Sequence, residues 1–297
     1  MLNLILFGLS LVVSVSASVE LQINYHDSVG IPAAERIHAV EQEILATNNL
    51  GHDDLLQNRI VGGQETPPNA FPYFAGLLID LIGTNNKSVC GASLLTPNRL
   101  VTAAHCWVDN AKEAWQFLVV LGSNFLYSGG ERIPTTKVIT HPHYVIPIKN
   151  DVAVIYLPRN AHINNFSIKP INLPNESELR NQFVGYRAVA TGFGKISENH
   201  DTSHVLRHVN LFVIKQAECV HSFTSGLVTN SNICTSGSGG VGICGGDSGG
   251  PLVTFGNDGE PFLIGIVSFN VAQKCDQGLP SSFSRVTSFY SFITQHL

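Results

Sequence analysis

Gly246-Asp247-Ser248-Gly249-Gly250-Pro251, with Cys244 just ahead of it, is the stretch whose reading decides the fold. A serine hydroxyl is a weak nucleophile at its free pKa, so a serine among glycines means little unless a base and an acid to orient that base stand elsewhere. Both do. Thr102-Ala103-Ala104-His105-Cys106 supplies an imidazole, and Asn150-Asp151-Val152-Ala153-Val154 supplies one carboxylate at the head of an apolar run. Singly, these read as a Gly-rich surface turn, a core histidine and a turn acid that starts a strand. Together, in the chain order histidine, aspartate, serine, they point to acyl transfer by a Ser-His-Asp set.

On those three motifs, and on Arg59-Ile60-Val61-Gly62-Gly63, the chain from Arg59 to Leu297 resembles the chymotrypsin-like (trypsin-like) serine endopeptidases in their secreted zymogen form, of the arthropod digestive or effector type. The resemblance implies an all-β fold of two antiparallel six-stranded β-barrels with a C-terminal helix. His105 and Asp151 would come from the first barrel and Ser248 from the second. Ser248 Oγ would attack the scissile carbonyl, His105 would carry the proton, and Asp151 would fix the histidine tautomer. The two side chains Ser248 and His105 are expected within hydrogen-bond reach. The backbone N–H groups of Gly246 and Ser248 would form the oxyanion hole.

The resemblance also implies activation by a cut between Arg59 and Ile60. The freed Ile60 amine would turn inward and pair with Asp247, a buried ion pair used as a switch. At the substrate pocket it implies Gly242 and Ser281 at the base, Asn270 on the wall and Ser268 beside Asp151. None of these is an acid, and a neutral pocket does not compensate a guanidinium for its lost water. The expectation is cleavage after neutral residues, from Phe, Tyr and Leu to Ala, in a chymotrypsin-like or elastase-like manner. Asp276, next to Cys275, is expected to face solvent. Six cysteines permit many pairings by number alone. The resemblance selects Cys90 with Cys106, Cys219 with Cys234 and Cys244 with Cys275.

The rest of the chain fits a barrel architecture. Short apolar runs split by Gly, Pro and Asn predict strands over 74–81, 92–95, 116–121, 152–157, 187–191, 209–214 and 262–268. Helix is scarce. Phe289, Phe292, Ile293 and His296 recur at helical spacing near the C-terminus, with Thr287 or Ser288 as the cap.

The N-terminal part has a different character. Residues 2–15 are almost wholly apolar and Val15-Ser16-Ala17 offers small residues, so 1–17 reads as a secretory signal peptide; the run is too short for a membrane anchor. Residues 18–59 hold seven acids against two bases and carry the whole net charge of −5, while 60–297 balances to neutral. This segment reads either as a solvated linker or as an acidic propeptide, and the Arg59-Ile60 motif favours the propeptide. A short helix over 33–45 fits its pattern. No basic run suggests nucleic acid or an anionic membrane as a partner.

Two histidine groups, His200 with His204 and His208, and His141 with His143, offer metal-ligand atoms; each reads better as loop and strand residues, and no metal or other cofactor is expected. Asn86, Asn165 and Asn175 head glycosylation sequons. The expected protein is a secreted, extracellular glycoprotein and a monomer. Its partners would be a protein or peptide substrate, an activating protease and protein protease inhibitors. The rival reading is a non-catalytic protease homologue that acts as a binding or cofactor protein, and the intact triad with Gly246 weighs against it.

Overall fold

The computed structural model describes residues 24–48 and 63–297, apart from 147, 199–200, 224–225 and 272–273. The expected signal peptide and the Arg59–Ile60 bond therefore lie outside the described residues.

Fourteen strands make two sheets. Strand β1 (Gln64–Glu65) is followed by β2 (Phe74–Leu81), β3 (Lys87–Thr96), β4 (Arg99–Thr102), β5 (Ala114–Leu121), β6 (Glu131–Thr135), β7 (Lys137–Thr140) and β8 (Ala153–Tyr156). Then come β9 (Arg187–Gly192), β10 (Arg207–Ile214), β11 (Asn232–Thr235), β12 (Pro251–Phe255), β13 (Pro261–Asn270) and β14 (Ser281–Arg285). The first sheet runs β6-β5-β2-β3-β4-β8-β7. Its two edges, β6 and β7, are separated by Thr136 alone, so they are successive parts of one bent strand and the sheet curls back on itself. Pro134 sits in β6, where a residue without an N–H is tolerated near such an edge. The second sheet is a closed six-stranded barrel, β9-β12-β13-β14-β11-β10 and back to β9, with β1 added outside β10. All ladders are antiparallel.

Each sheet encloses its own apolar core. Leu77, Ile79, Leu94, Leu100, Val119 and Ile155 fill the first; Ala190, Leu211, Ile233, Leu252, Ile264 and Phe283 fill the second. The seven strands expected from sequence all form, most of them a few residues longer. The missed ones are short or polar, as in β14, where Ser281, Ser282 and Ser284 are all buried.

Strands β2 and β3 are buried on both faces, which is why they read as continuous apolar runs instead of alternating ones. What covers their outer face is the acidic N-terminal segment. A π-helical turn at His26–Gly30 leads into helix α1 (Ile31–Asn48), longer at both ends than the expected 33–45. Ala33, Ala34 and Ile37 of α1 share a buried cluster with Phe74, Leu78, Val89, Val120 and Leu126. The solvated-linker reading does not hold for this part of the segment.

Two short helices complete the chain, α2 (Gln216–Val220) and α3 (Tyr290–Gln295). The C-terminal helix is where the sequence placed it, but neither Thr287 nor Ser288 caps it. Those residues form a 3₁₀ turn, the cap position falls to Phe289, and Ser288 Oγ reaches the carbonyl of Asn230 instead.

Candidate active site

His105 lies in a 3₁₀ turn, Ala104–Cys106, directly after β4. The disulfide Cys90–Cys106 ties that turn to β3, and Thr102 Oγ1 donates to the Gly91 carbonyl at 2.7 Å. Asp151 stands just before β8. Asn150 in front of it takes a left-handed φ of 54°, which asparagine tolerates better than most residues, and its amide donates to the His143 carbonyl. These two anchors bring the side chains together. Asp151 Oδ1 accepts from the His105 backbone N–H at 2.9 Å, and Oδ2 faces His105 Nδ1 at 2.9 Å.

Two more hydroxyls hold the acid. Ser268 Oγ donates to Asp151 Oδ2 at 2.6 Å from a β-bulge in β13, and Ser284 Oγ donates to the Asp151 carbonyl at 2.6 Å. Burial acts to raise the Asp151 carboxyl, yet the charge and hydrogen bonds of His105 and the bond from Ser268 outweigh it and hold the group below its ordinary value. An ionised carboxylate at this position keeps the Nδ1 proton on the imidazole and leaves Nε2 free to accept one.

Ser248 comes from a loop between the barrel strands. Its carbonyl accepts from the Gly91 N–H at 2.7 Å, and the Gly249 N–H donates to Val267 at 2.9 Å, so the loop is pinned to both sheets. Gly246 and Gly249 both take positive φ, 105° and 77°, and a side chain at Gly249 would run into Thr102 and Gly91. Among the described residues, neither the Gly246 nor the Ser248 N–H finds an acceptor.

One expected contact is missing. Ser248 Oγ does not bond His105 Nε2, which is buried without a partner among the described residues. Tyr25, from the N-terminal segment, stands in the way. Its ring meets that of His105 edge-on with centroids 4.8 Å apart, and its hydroxyl donates to the Val89 carbonyl at 2.7 Å. Burial pushes the Tyr25 phenol up, while a hydrogen bond with Ser248 acts against the rise. Tyr25 therefore lies on the ring of His105 and lines the same cavity as Ser248. Sequence reasoning passed over Tyr25; its signal is an aromatic pair, Tyr25-His26, in a segment otherwise rich in acids and amides.

Asp247 sits in a closed niche. Its carboxylate accepts from Gly194 N at 2.8 Å and from Cys244 N at 2.9 Å, and a side chain at Gly194 would collide with it. With no cation beside it among the described residues, burial raises its pKa to about 6 against those two hydrogen bonds. Arg59 and Ile60, the other two residues of the expected switch, fall outside the described residues.

The cavity beside Ser248 is lined by Tyr25, His105, Ile243, Phe269 and Asn270 among others. Asn270 Nδ2 donates across it to the Ile243 carbonyl at 3.0 Å, which narrows the opening. Gly242 is buried against Ser281 Oγ, which in turn accepts from Ile243 N. Asp276 is half-buried rather than solvated, and its carboxylate accepts from Glu198 N at 3.2 Å. It is thus engaged outside the cavity.

The remaining candidates are placed as follows. Disulfides join Cys90 to Cys106, Cys219 to Cys234 and Cys244 to Cys275. His204 is buried in a loop and His208 lies in β10, so strand geometry does not align them, and His200 is outside the described residues. His141 and His143 touch edge-on, and His141 packs on Phe289 and Phe292. Asn86, Asn165 and Asn175 are exposed, and Asn175 Oδ1 already bonds the Ser177 hydroxyl of its sequon.

Comparison with known proteins agrees with this geometry. The family model described as Trypsin matches residues 60–293. The chain is 36% identical to the collagenase of Hypoderma lineatum over 82% of its own length and 89% of that protein. It is 37% identical to brachyurin of Leptuca pugilator over 79% of its length and 96% of the relative. The solved structure of HL collagenase superposes with a TM-score of 0.72 at 36% identity, over 80% of this chain and 98% of that one.

Proposed function

The chain belongs to the trypsin family and is a serine-type endopeptidase, and from that premise we propose that it cleaves peptide bonds through Ser248, His105 and Asp151 after a cut at Arg59–Ile60. The observation that carries this reading is the histidine: Nδ1 is locked on Asp151, and Nε2 is left unpaired beside Ser248. In the reaction, Ser248 Oγ adds to the carbonyl carbon as its proton passes to His105 Nε2. The oxyanion forms against the free N–H groups of Gly246 and Ser248, one such donor being worth about 3 kcal/mol of barrier. His105 returns the proton to the leaving amine, and water repeats the sequence on the acyl-enzyme.

The pocket favours neutral side chains. Gly242 and Ser281 stand behind Ile243, Asn270 bridges the mouth, and Asp276 and Glu198 bond backbone N–H groups, Asp276 that of Glu198 and Glu198 that of Cys275. Activated enzyme should therefore hydrolyse amides after Phe, Tyr or Leu well above those after Arg or Lys. Faster turnover of arginyl substrates would reject this pocket. The collagenase likeness adds collagen to the substrates worth including. Disulfides, the leader over 1–17 and exposed sequons support secretion as a glycoprotein, and in the extracellular space the substrate is a protein and the activator another protease.

The activity itself is tested with the cut chain and its Ser248→Ala variant. Loss of about 10⁶-fold in kcat is expected, without loss of the fold. An Arg59→Gln chain should stay nearly inactive when exposed to the same activating protease. Full activity in either variant would sink the mechanism.

A further inference from the structure

The acidic segment's buried contacts begin at the catalytic histidine and run on over the outer face of the first sheet. Tyr25 covers His105 and lines the cavity beside Ser248. His26 is fully buried; its backbone N–H donates to Asp109 Oδ2 at 2.8 Å and its Nδ1 meets Ser88 Oγ at 2.8 Å. Asp27 pairs with Lys112 at 3.2 Å. Val29 lies against Gly245, the residue before the anion-binding loop. Gly30 passes Ser88 so closely that any side chain there would collide with it. Farther along, Glu41 is buried with one oxygen accepting from Leu126 N at 2.7 Å, and both accepting from Tyr127 N.

These are matched contacts of the kind that make an interface. An apolar centre, Tyr25, Val29 and Ile37, is flanked by polar groups bonded to the barrels, His26 to Asp109 and Ser88 and Glu41 to Leu126 and Tyr127, and the buried Glu41 carboxylate would be costly to leave unpaired. None of them depends on the Arg59–Ile60 bond, and no disulfide holds the segment to the barrels.

We propose that residues 24–48 are a dedicated ligand of the active-site cleft, one that remains docked on the barrels after the cut at Arg59–Ile60 and inhibits the enzyme until it leaves. This rests on the catalytic reading of Ser248 and His105. Activation then has two steps: the cut, which frees the Ile60 amine, and release of the segment, which uncovers His105 and Ser248. The cleft is specific for its own prosegment through Tyr25 over the histidine and Gly30 at Ser88.

The test uses the full chain, cut by an activating protease and assayed at once with a serine-directed fluorophosphonate. Wild type should label at least about tenfold more slowly than cut Tyr25→Ala or Gly30→Val chains, because a bound ligand lowers the free cleft by mass action. Gel filtration of the cut chains reads docking without any catalysis: the segment should travel with the barrels in wild type and separate in Gly30→Val. Equal labelling rates, or a wild-type segment that elutes alone, would overturn the proposal. Co-elution together with a Ser248 that labels in no chain would instead reject the catalytic reading, and the inhibitory role with it.

Discussion

The two halves of the site are at different stages of assembly. On the first sheet, His105 and Asp151 are joined by two contacts at 2.9 Å and Asp151 is held by the Ser268 hydroxyl at 2.6 Å, with only His105 Nε2 left without a partner among the described residues. On the second, Ser248 lies beside Tyr25 without a bond to His105 Nε2, and Asp247 is buried with two backbone N–H groups and no counter-charge among the described residues. The first half is built by strands and a disulfide, whose geometry is fixed once the sheet forms. The second is built by a glycine-rich loop, held by backbone bonds at Ser248 and Gly249, whose Gly246 and Gly249 take positive φ. On the activation we propose, the Ile60–Asp247 pairing acts on the serine side, while release of the segment uncovers His105.

The strongest way to break this contrast is to damage the finished half. Asp151→Asn should leave the fold in place and lower kcat by about 10⁴-fold on a peptide amide, through the wrong histidine tautomer. A loss of less than tenfold would mean that His105 does not depend on Asp151 for its proton.

The unfinished half predicts a signature in pH. Asp247 in the uncleaved chain has its pKa raised from 3.8 to about 6 by burial. The folded state then holds a proton that the unfolded state has released, so this group's contribution to stability falls as pH rises through that window. At about 1.4 kcal/mol per unit the loss reaches roughly 3 kcal/mol. Urea midpoints of the uncleaved chain and of Asp247→Asn, taken at pH 4 and pH 6.5, should differ by that slope. Once the Ile60 amine is free to pair with Asp247 the slope should vanish, and identical slopes before and after the cut would deny the pairing.

A smaller effect separates the docked segment from both halves. Glu41→Ala leaves the Leu126 and Tyr127 N–H groups without their acceptor and should destabilise the uncleaved chain by about 1 to 3 kcal/mol. The pH slope of Asp247 should be untouched by it. Smallest is Ser268→Ala, which removes one of the bonds that hold the Asp151 carboxyl down. Its acid limb in kcat/KM should move to higher pH, with a loss of roughly tenfold at neutral pH, about one hydrogen bond to a charged group.

How much of this the sequence disclosed follows the same division. His105, Asp151 and Ser248 were legible because each stands in a short motif whose residues have chemical reasons to be there. The strands β2 and β13 were legible because long apolar runs admit few other readings. Strand β14 was not, since Ser281, Ser282 and Ser284 are polar and their burial depends on partners far away in the chain, Asp151 among them. Tyr25 was missed for a related reason. Its significance comes from contact with residues 64 to 223 positions further on, and no local pattern encodes that. Asp276 shows the limit from the other side: its neighbour Cys275 placed it in a loop, but the bond to Glu198 N needed the fold.

Helix α1 also bears on how the enzyme behaves as a colloid. Residues 18–59 carry the chain's entire net charge of −5, and the portion from residue 60 onward is neutral. When the segment departs, the barrels lose their mutual repulsion at the same moment that the face made by Leu78, Val89 and Val120 meets water. The freed enzyme is thus the less soluble partner. It should self-associate as its concentration rises and as salt increases, whereas the docked form keeps the molecules apart.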